Sequence, residues 1–224
     1  MTRFVLELKT QFVAHSYDKV SEKQEAYLQQ KFKLLGLTTP VRKSIQKPFL
    51  TKQNRPNKRE LTKITTELWA LPFREFQYAA IDLNRLYLRE IKEEDIQLFE
   101  HMITQKSWWD SVDLVSVHLV GTYFKLYPDH LFPILDKWMT SNNLWLQRAC
   151  LLYQLKYKQN TSTKILEQVI VPLFHSKEFF LNKAIGWILR EYSKTNPEWV
   201  IQFVETYQDD LSNLSKKEAL RLLI

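Results

Sequence analysis

The chain has 224 residues and a mass of 27.0 kDa, with 45% hydrophobic and 25% charged residues, enough to bury a substantial core. Three glycines (Gly36, Gly121 and Gly186) are too few for a β-rich or dinucleotide-binding α/β fold, whose tight turns and phosphate loops depend on them. A formal net charge of +7 and an isoelectric point near 9.3 favour a polyanionic partner.

Phe4, Leu8 and Phe12, with Val5, predict a short first helix ending near His15. A second helix is expected from about Ser21 through Tyr27, Leu28, Phe32 and Leu35, stopped by Gly36 just past its end. Thr38-Thr39-Pro40 opens a third over Val41 to Ile45, with Pro40 suited to the first helical position. Residues 48–58 are polar, basic and proline-punctuated, and read as the longest loop. From there the chain becomes regular. Leu61, Ile64, Leu68 and Trp69 make a helix closing at Leu71-Pro72, and Phe73 to Tyr87 make its partner. The pattern recurs as 94–105 with 107–122, 129–140 with 144–158, 163–175 with 178–195, and 197–207 with 215–224. Short connections make neighbours antiparallel.

The second helices resemble one another. Leu146-Gln147-Arg148-Ala149 returns 35 residues later as Leu181-Asn182-Lys183-Ala184, and Phe76-Gln77-Tyr78-Ala79 is a weaker echo. A two-helix unit with a period in the mid-thirties predicts an all-α, HEAT-like α-α superhelix of roughly six antiparallel pairs. One domain is expected over 1–224, with N-terminal helices and a basic loop in 1–58 and regular pairs in 59–224. Consecutive second helices would line one concave, basic groove.

The stretch Ser107-Trp108-Trp109-Asp110-Ser111-Val112-Asp113 carries the first chemical signal. Ser107 with Asp110 has capping-box spacing, which starts the helix at Trp108 and explains Asp110 as a helix-start carboxylate. Trp108, Val112, Val115 and Leu119 form a core stripe. Trp109, Asp113 and Ser116 form another about 100° away, on a face the core does not require. In 144–158, Arg148 sits among apolar residues, either paired with an internal carboxylate or aimed at a bound anion. In 178–195, Lys183, Trp187, Arg190 and Lys194 share a face, although Trp187 taken alone is more readily read as core, packed against a neighbouring helix. Gly186 costs its helix roughly 1 kcal/mol relative to Ala and lets a backbone or ligand come close. Trp109, Arg148 and Trp187 are each 39 residues apart, which suggests comparable positions on three successive second helices. Cations, aromatic faces and one carboxylate in a groove suit a phosphodiester backbone.

These motifs, with Gln154-Leu155-Lys156-Tyr157-Lys158-Gln159 and Ser176-Lys177-Glu178-Phe179-Phe180 through Lys183-Ala184-Ile185-Gly186-Trp187, resemble the AlkD family of HEAT-like-repeat DNA glycosylases over nearly the whole chain. The resemblance implies excision of positively charged N3- and N7-alkylated purines, such as 3-methyladenine and 7-methylguanine, from double-stranded DNA in base excision repair. It implies that Asp113, Trp109 and Trp187 are catalytic and that Arg148 lies nearby, on a flanking phosphate. Tyr27, Lys43 and Arg190 are implied DNA contacts, beside Lys183 and Lys194 from the basic stripe. The chain departs from the family at Thr38, where members carry Gln before Thr-Pro. The resemblance further implies that the lesion stays stacked instead of being flipped into a pocket. No cofactor or metal is expected, since the five histidines lack paired ligand spacing and the single Cys150 excludes a thiolate site. The expected protein is a cytoplasmic monomer with no membrane segment. The alternatives are a non-catalytic HEAT-like module binding nucleic acid, and a protein scaffold.

Overall fold

A computed structural model describes residues 1–223. The described chain is helical, with an isolated bridge between Lys33 and Phe73. It divides into two compact units, Met1–Asp95 and the chain from Ile96 onward.

In the first unit, α1 (Arg3–Ala14) buries Val5, Leu8 and Phe12, and the Thr2 hydroxyl accepts the Val5 N–H at its start. Helix α2 (Asp18–Tyr27) is shorter than the sequence suggested. The helix does not reach Gly36 because Gln29 and Gln30 turn the chain through positive φ, and Leu34, Leu35 and Leu37 are buried without helical pairing. The fully buried Glu75 carboxylate accepts the N–H groups of Leu35, Gly36 and Leu37 at 3.0, 3.1 and 3.2 Å, supplying the bonds a helix would have given. Gly36 is needed at φ +82°, and a Cβ there would lie 2.1 Å from the Tyr17 carbonyl oxygen. It is a loop glycine, not a helix stop.

Helix α3 (Thr39–Gln46) follows Thr38, with Pro40 in its first turn. Arg42 is buried and donates to Gln46 and, at 2.7 Å, to Asp82. The basic stretch after it is pinned, since Arg55 lies over the Tyr87 ring at 4.8 Å and Lys58 pairs with the buried Asp95. Helices α4 (Leu61–Ala70) and α5 (Arg74–Arg85) pack together, as the repeat pattern predicts. Gln77, fully buried, donates to the carbonyls of Leu68, Trp69 and Leu71 and closes the hairpin between them.

In the second unit, α6 (Asp95–Thr104) precedes α7, which runs as Trp109–Leu114, a π-helical stretch over Val115–Val120, and Gly121–Leu126. Then come α8 (Leu131–Thr140), α9 (Leu144–Leu152), α10 (Thr163–Ile170), α11 (Phe179–Ser193), α12 (Pro197–Thr206) and α13 (Asn213–Ala219). Helix α10 stops short of the expected 175 because Pro172, lacking an N–H, follows it in a single 3-10 turn. Helix α9 ends at Leu152, where the expectation ran to 158. Beyond it the buried Gln154 bonds both ways with the Ser162 backbone and draws the chain into α10. Helix α13 begins at Asn213 under a Ser212 cap, and the last residue of the expected 215–224 helix lies outside the described residues.

The second helices α7, α9, α11 and α13 pack in succession. Their core is apolar, with Val112, Val115, Leu119, Ala149, Leu151, Ala184, Ile185 and Ile188 at 0–1% exposure. Each buried Val, Leu or Ile side chain contributes about 1.5–3 kcal/mol, which holds the helices in one register. No described helix is long and apolar enough to cross a membrane.

Candidate active site

The register of the second helices fixes which side chains are equivalent. Arg74, Trp109, Leu144 and Phe179 each open a helix, and each lies 35 residues after the last. The fifth residues are therefore Tyr78, Asp113, Arg148 and Lys183. The 39-residue spacing of Trp109, Arg148 and Trp187 does not mark equivalent places. Trp109 is the first residue of its helix, Arg148 the fifth and Trp187 the ninth. What the 35-residue period aligns is a row of charges.

Two neighbours in that row are bonded directly. Arg148 Nε donates to Asp113 Oδ1 at 2.7 Å and Nη2 to Oδ2 at 2.8 Å, the two-point geometry that a planar guanidinium makes with a carboxylate. Arg148 Nη1 donates to the Phe180 carbonyl oxygen on α11. Both side chains are largely buried, with 12% of Asp113 and 4% of Arg148 exposed. Of the two sequence readings of Arg148, the structure contains the internal carboxylate pair. Burial pushes the Asp113 carboxyl above the ordinary carboxylate range, Arg148 pulls it down, and Asp110 adds a smaller push upward.

Trp109 is half-buried one turn before Asp113. The cap differs from expectation. Trp108 occupies the N-cap position in extended conformation with no side-chain cap bond, and the Ser107 hydroxyl donates backward to the Ile103 carbonyl at 2.6 Å. Ser107 is drawn into the end of α6, so no capping box forms, and Asp110 is left in the first turn. Trp108 is half-buried in a three-ring cluster, 5.6 Å from Trp145 and 5.0 Å from Phe180, with Trp145 and Phe180 5.2 Å apart. The cluster joins the starts of α7, α9 and α11 and fixes the carbonyl that Arg148 uses. Ser116, placed by the sequence on the Trp109/Asp113 stripe, is fully buried and donates to the Val112 carbonyl at 2.6 Å. The π-helical stretch shifts the register there.

The next position in the row is Lys183, and its partner is Glu218 on α13, again 35 residues away. Glu218 is 6% exposed and also pairs with Arg190, with Arg221 3.8 Å away. Gly186 makes this contact possible, because a Cβ there would lie 2.5 Å from the Glu218 Cβ and 2.9 Å from the Ser215 carbonyl oxygen. The close approach that glycine permits is therefore to α13. Trp187 is half-buried, and Lys194 is exposed and pairs with Glu191. The sequence reading missed Glu218, although the step from Lys183 by the period of the Leu-Gln-Arg-Ala echo leads to it.

Tyr27 and Lys43 belong to the first unit. Tyr27 ends α2 with 72% exposure, and Lys43 is exposed on α3. Among the described residues, no three His, Cys, Asp or Glu side chains are arranged to hold a metal ion.

The model of a family described as DNA alkylation repair enzyme matches residues 8–223. Among solved structures, a predicted DNA alkylation repair enzyme from Enterococcus faecalis is similar, with 32% identity and a TM-score of 0.85 over 93% of this chain and 96% of that one. That likeness fits the all-α, α-α superhelical fold class. A search of curated proteins returned no match.

Proposed function

The chain belongs to the DNA alkylation repair enzyme family, and from that premise we propose that it is a DNA glycosylase hydrolysing the N-glycosidic bond of positively charged N3- and N7-alkylated purines. The observation that carries the reading is Asp113, a buried carboxylate held at both oxygens by Arg148 with Trp109 one turn away.

Alkylation at N3 or N7 leaves the purine cationic, so the base departs neutral and no general acid has to protonate it. One carboxylate is then sufficient, where hydrolysis between two sugars normally takes two. As the bond stretches, the deoxyribose becomes oxocarbenium-like. Asp113 stabilises that charge and orients or deprotonates the attacking water. A charge pair at about 4 Å with an effective dielectric near 20 is worth roughly 4 kcal/mol, or about three decades in rate. The faces of Trp109 and Trp187 add about 0.5–2 kcal/mol each as cation–π partners. Arg148 fixes the orientation of Asp113. A guanidinium has five N–H groups, so those outside its three bonds remain for a flanking phosphate. Lys183, Arg190, Lys194, Tyr27 and Lys43 contact the DNA backbone. The lesion need not leave the stack, because selection rests on the lability of the charged base. Bulky cationic lesions are accepted and neutral damaged bases such as uracil are not.

Release of 7-methylguanine from duplex DNA by the wild-type chain and by Asp113→Asn tests the proposal. The wild type should release the base and Asp113→Asn should bind the DNA without releasing it. Equal release by both removes the mechanism. One observation favours a second reading, a non-catalytic nucleic-acid-binding module: both Asp113 oxygens are engaged by Arg148, as in a purely structural pair. That reading predicts salt-dependent DNA binding with no release by either protein. A log–log salt slope near zero would instead indicate a protein scaffold.

A further inference from the structure

We propose that Glu218 is a positioning residue that gathers Lys183, Arg190 and Arg221 into a seat for a single phosphate of the DNA backbone. The proposal rests on the DNA-repair reading above and deepens it. Three cations meet one carboxylate here. Lys183 and Arg190 pair with its two oxygens, and the Arg221 guanidinium lies 3.8 Å away. The carboxylate is buried, while the side chains of Lys183, Arg190 and Arg221 keep 40%, 22% and 69% exposure. Three positive charges against one negative leave an excess of two, displayed toward solvent, which attracts the singly charged phosphodiester of a DNA backbone.

Left to themselves, the cations would separate. Burial lowers the Lys183 pKa, and the charges of Arg190 and Arg221 lower it further. The Glu218 carboxylate offsets that repulsion and holds the groups in one place before DNA arrives, so less side-chain freedom is lost on binding. The backbone is built for this contact, since Gly186 admits the Glu218 Cβ where an alanine would collide with it. The Ser215 hydroxyl, buried at 0% exposure, donates to the Asn182 carbonyl at 2.8 Å and locks α13 against α11 one residue from Lys183. The cluster flanks Trp187 in the chain, with Lys183 one turn before it and Arg190 one turn after. A phosphate fixed there sets the backbone of the lesion strand relative to that indole.

Two variants of the full chain test the assignment. Glu218→Gln keeps the shape and removes the charge. It should release 7-methylguanine about tenfold more slowly in single-turnover assays, as expected for a misplaced substrate, while binding undamaged duplex as tightly as wild type or more tightly. Arg221→Gln, at an exposed position, should lower the salt slope of duplex binding by about one. Release by Glu218→Gln within about twofold of wild type, measured where both are folded, would make Glu218 a packing residue and overturn the positioning role. An unchanged slope in Arg221→Gln would remove the seat, and this variant decides the matter should Glu218→Gln not fold. Absence of release by wild type would count against the glycosylase reading alone, with the seat still judged by the Arg221→Gln slope.

Discussion

The second unit contains two ion pairs built on the same plan, and they have opposite outcomes. Asp113–Arg148 and Lys183–Glu218 each join residues 35 apart on neighbouring second helices. The first is a closed fork of one anion and one cation, nearly sealed from solvent, with three N–H groups of the arginine engaged by protein oxygens. The second is an open cluster in which one buried anion gathers three cations. Burial of a balanced pair raises the pKa of its carboxylate and readies it for chemistry. Burial of the anion alone leaves surplus positive charge at the surface and readies the cluster for a polyanion. One repeat geometry thus yields a sealed ion pair at one step, the proposed reaction centre, and an open cationic cluster two steps on, the proposed phosphate seat.

The comparison breaks first at Asp113. Asp113→Asn should lower single-turnover release by about three decades with DNA affinity retained, because the charge facing the oxocarbenium is lost. Arg148→Met strands a buried carboxylate and should cost about 3–5 kcal/mol in urea unfolding, most of it recovered in Asp113→Leu/Arg148→Met, where no charge is orphaned. Lys183→Met, at the exposed side of the other pair, should cost about 1 kcal/mol or less. Similar losses at Arg148 and Lys183 would erase the distinction between closed and open pairs.

The pH dependence sharpens it. Because burial raises the Asp113 pKa, the folded protein keeps that proton at pH values where the unfolded chain has released it. Stability from this group therefore declines as pH rises through the interval between the ordinary and the raised value, while the ionised form needed for release accumulates. The acid limb of the release rate should lie above the ordinary carboxylate range, and Arg148→Met should move it higher. A limb at the ordinary range would show the carboxylate to be solvated. Gly186→Ala should cost about 1–3 kcal/mol by driving α13 from α11, seen as a lower melting temperature. The smallest effect is expected for Asp110→Asn. Its place near the helix start is worth about 0.3–1 kcal/mol.

The repeat was legible because it rests on apolar periodicity, which survives any local detail: the hairpins at 61–85, 95–126 and 131–152 appear where Leu, Ile, Val and Trp recur at helical spacing. Trp109 and Asp113 were found together because four residues on one helix make a fixed face. What failed were the places where a distant side chain replaces a local bond. The Glu75 carboxylate accepts the N–H groups of Leu35 to Leu37, so α2 ends early and Gly36 serves a loop. Ser107 bonds back into α6 and leaves the predicted cap unmade. Arg148 could be seen among apolar residues, but its choice between carboxylate and anion required the carboxylate in space. The interval of 39 picked out interesting residue types, whereas the interval of 35 is the one the backbone keeps, and only the latter leads to Glu218.

The π-helical stretch over Val115–Val120 has a consequence for how Asp113 came to face Arg148. Such a stretch accommodates one residue more than an α-helix of the same rise, so it acts as a phase offset between the two ends of α7. Tyr123 and Phe124 anchor the far end in the core, and the Tyr157 hydroxyl holds the Gly121 carbonyl at 2.6 Å. Forcing these same residues into an unbroken α-helix would turn everything before them by about 100°. Asp113 would then swing away from Arg148 with its identity, and every other residue of the site, unchanged.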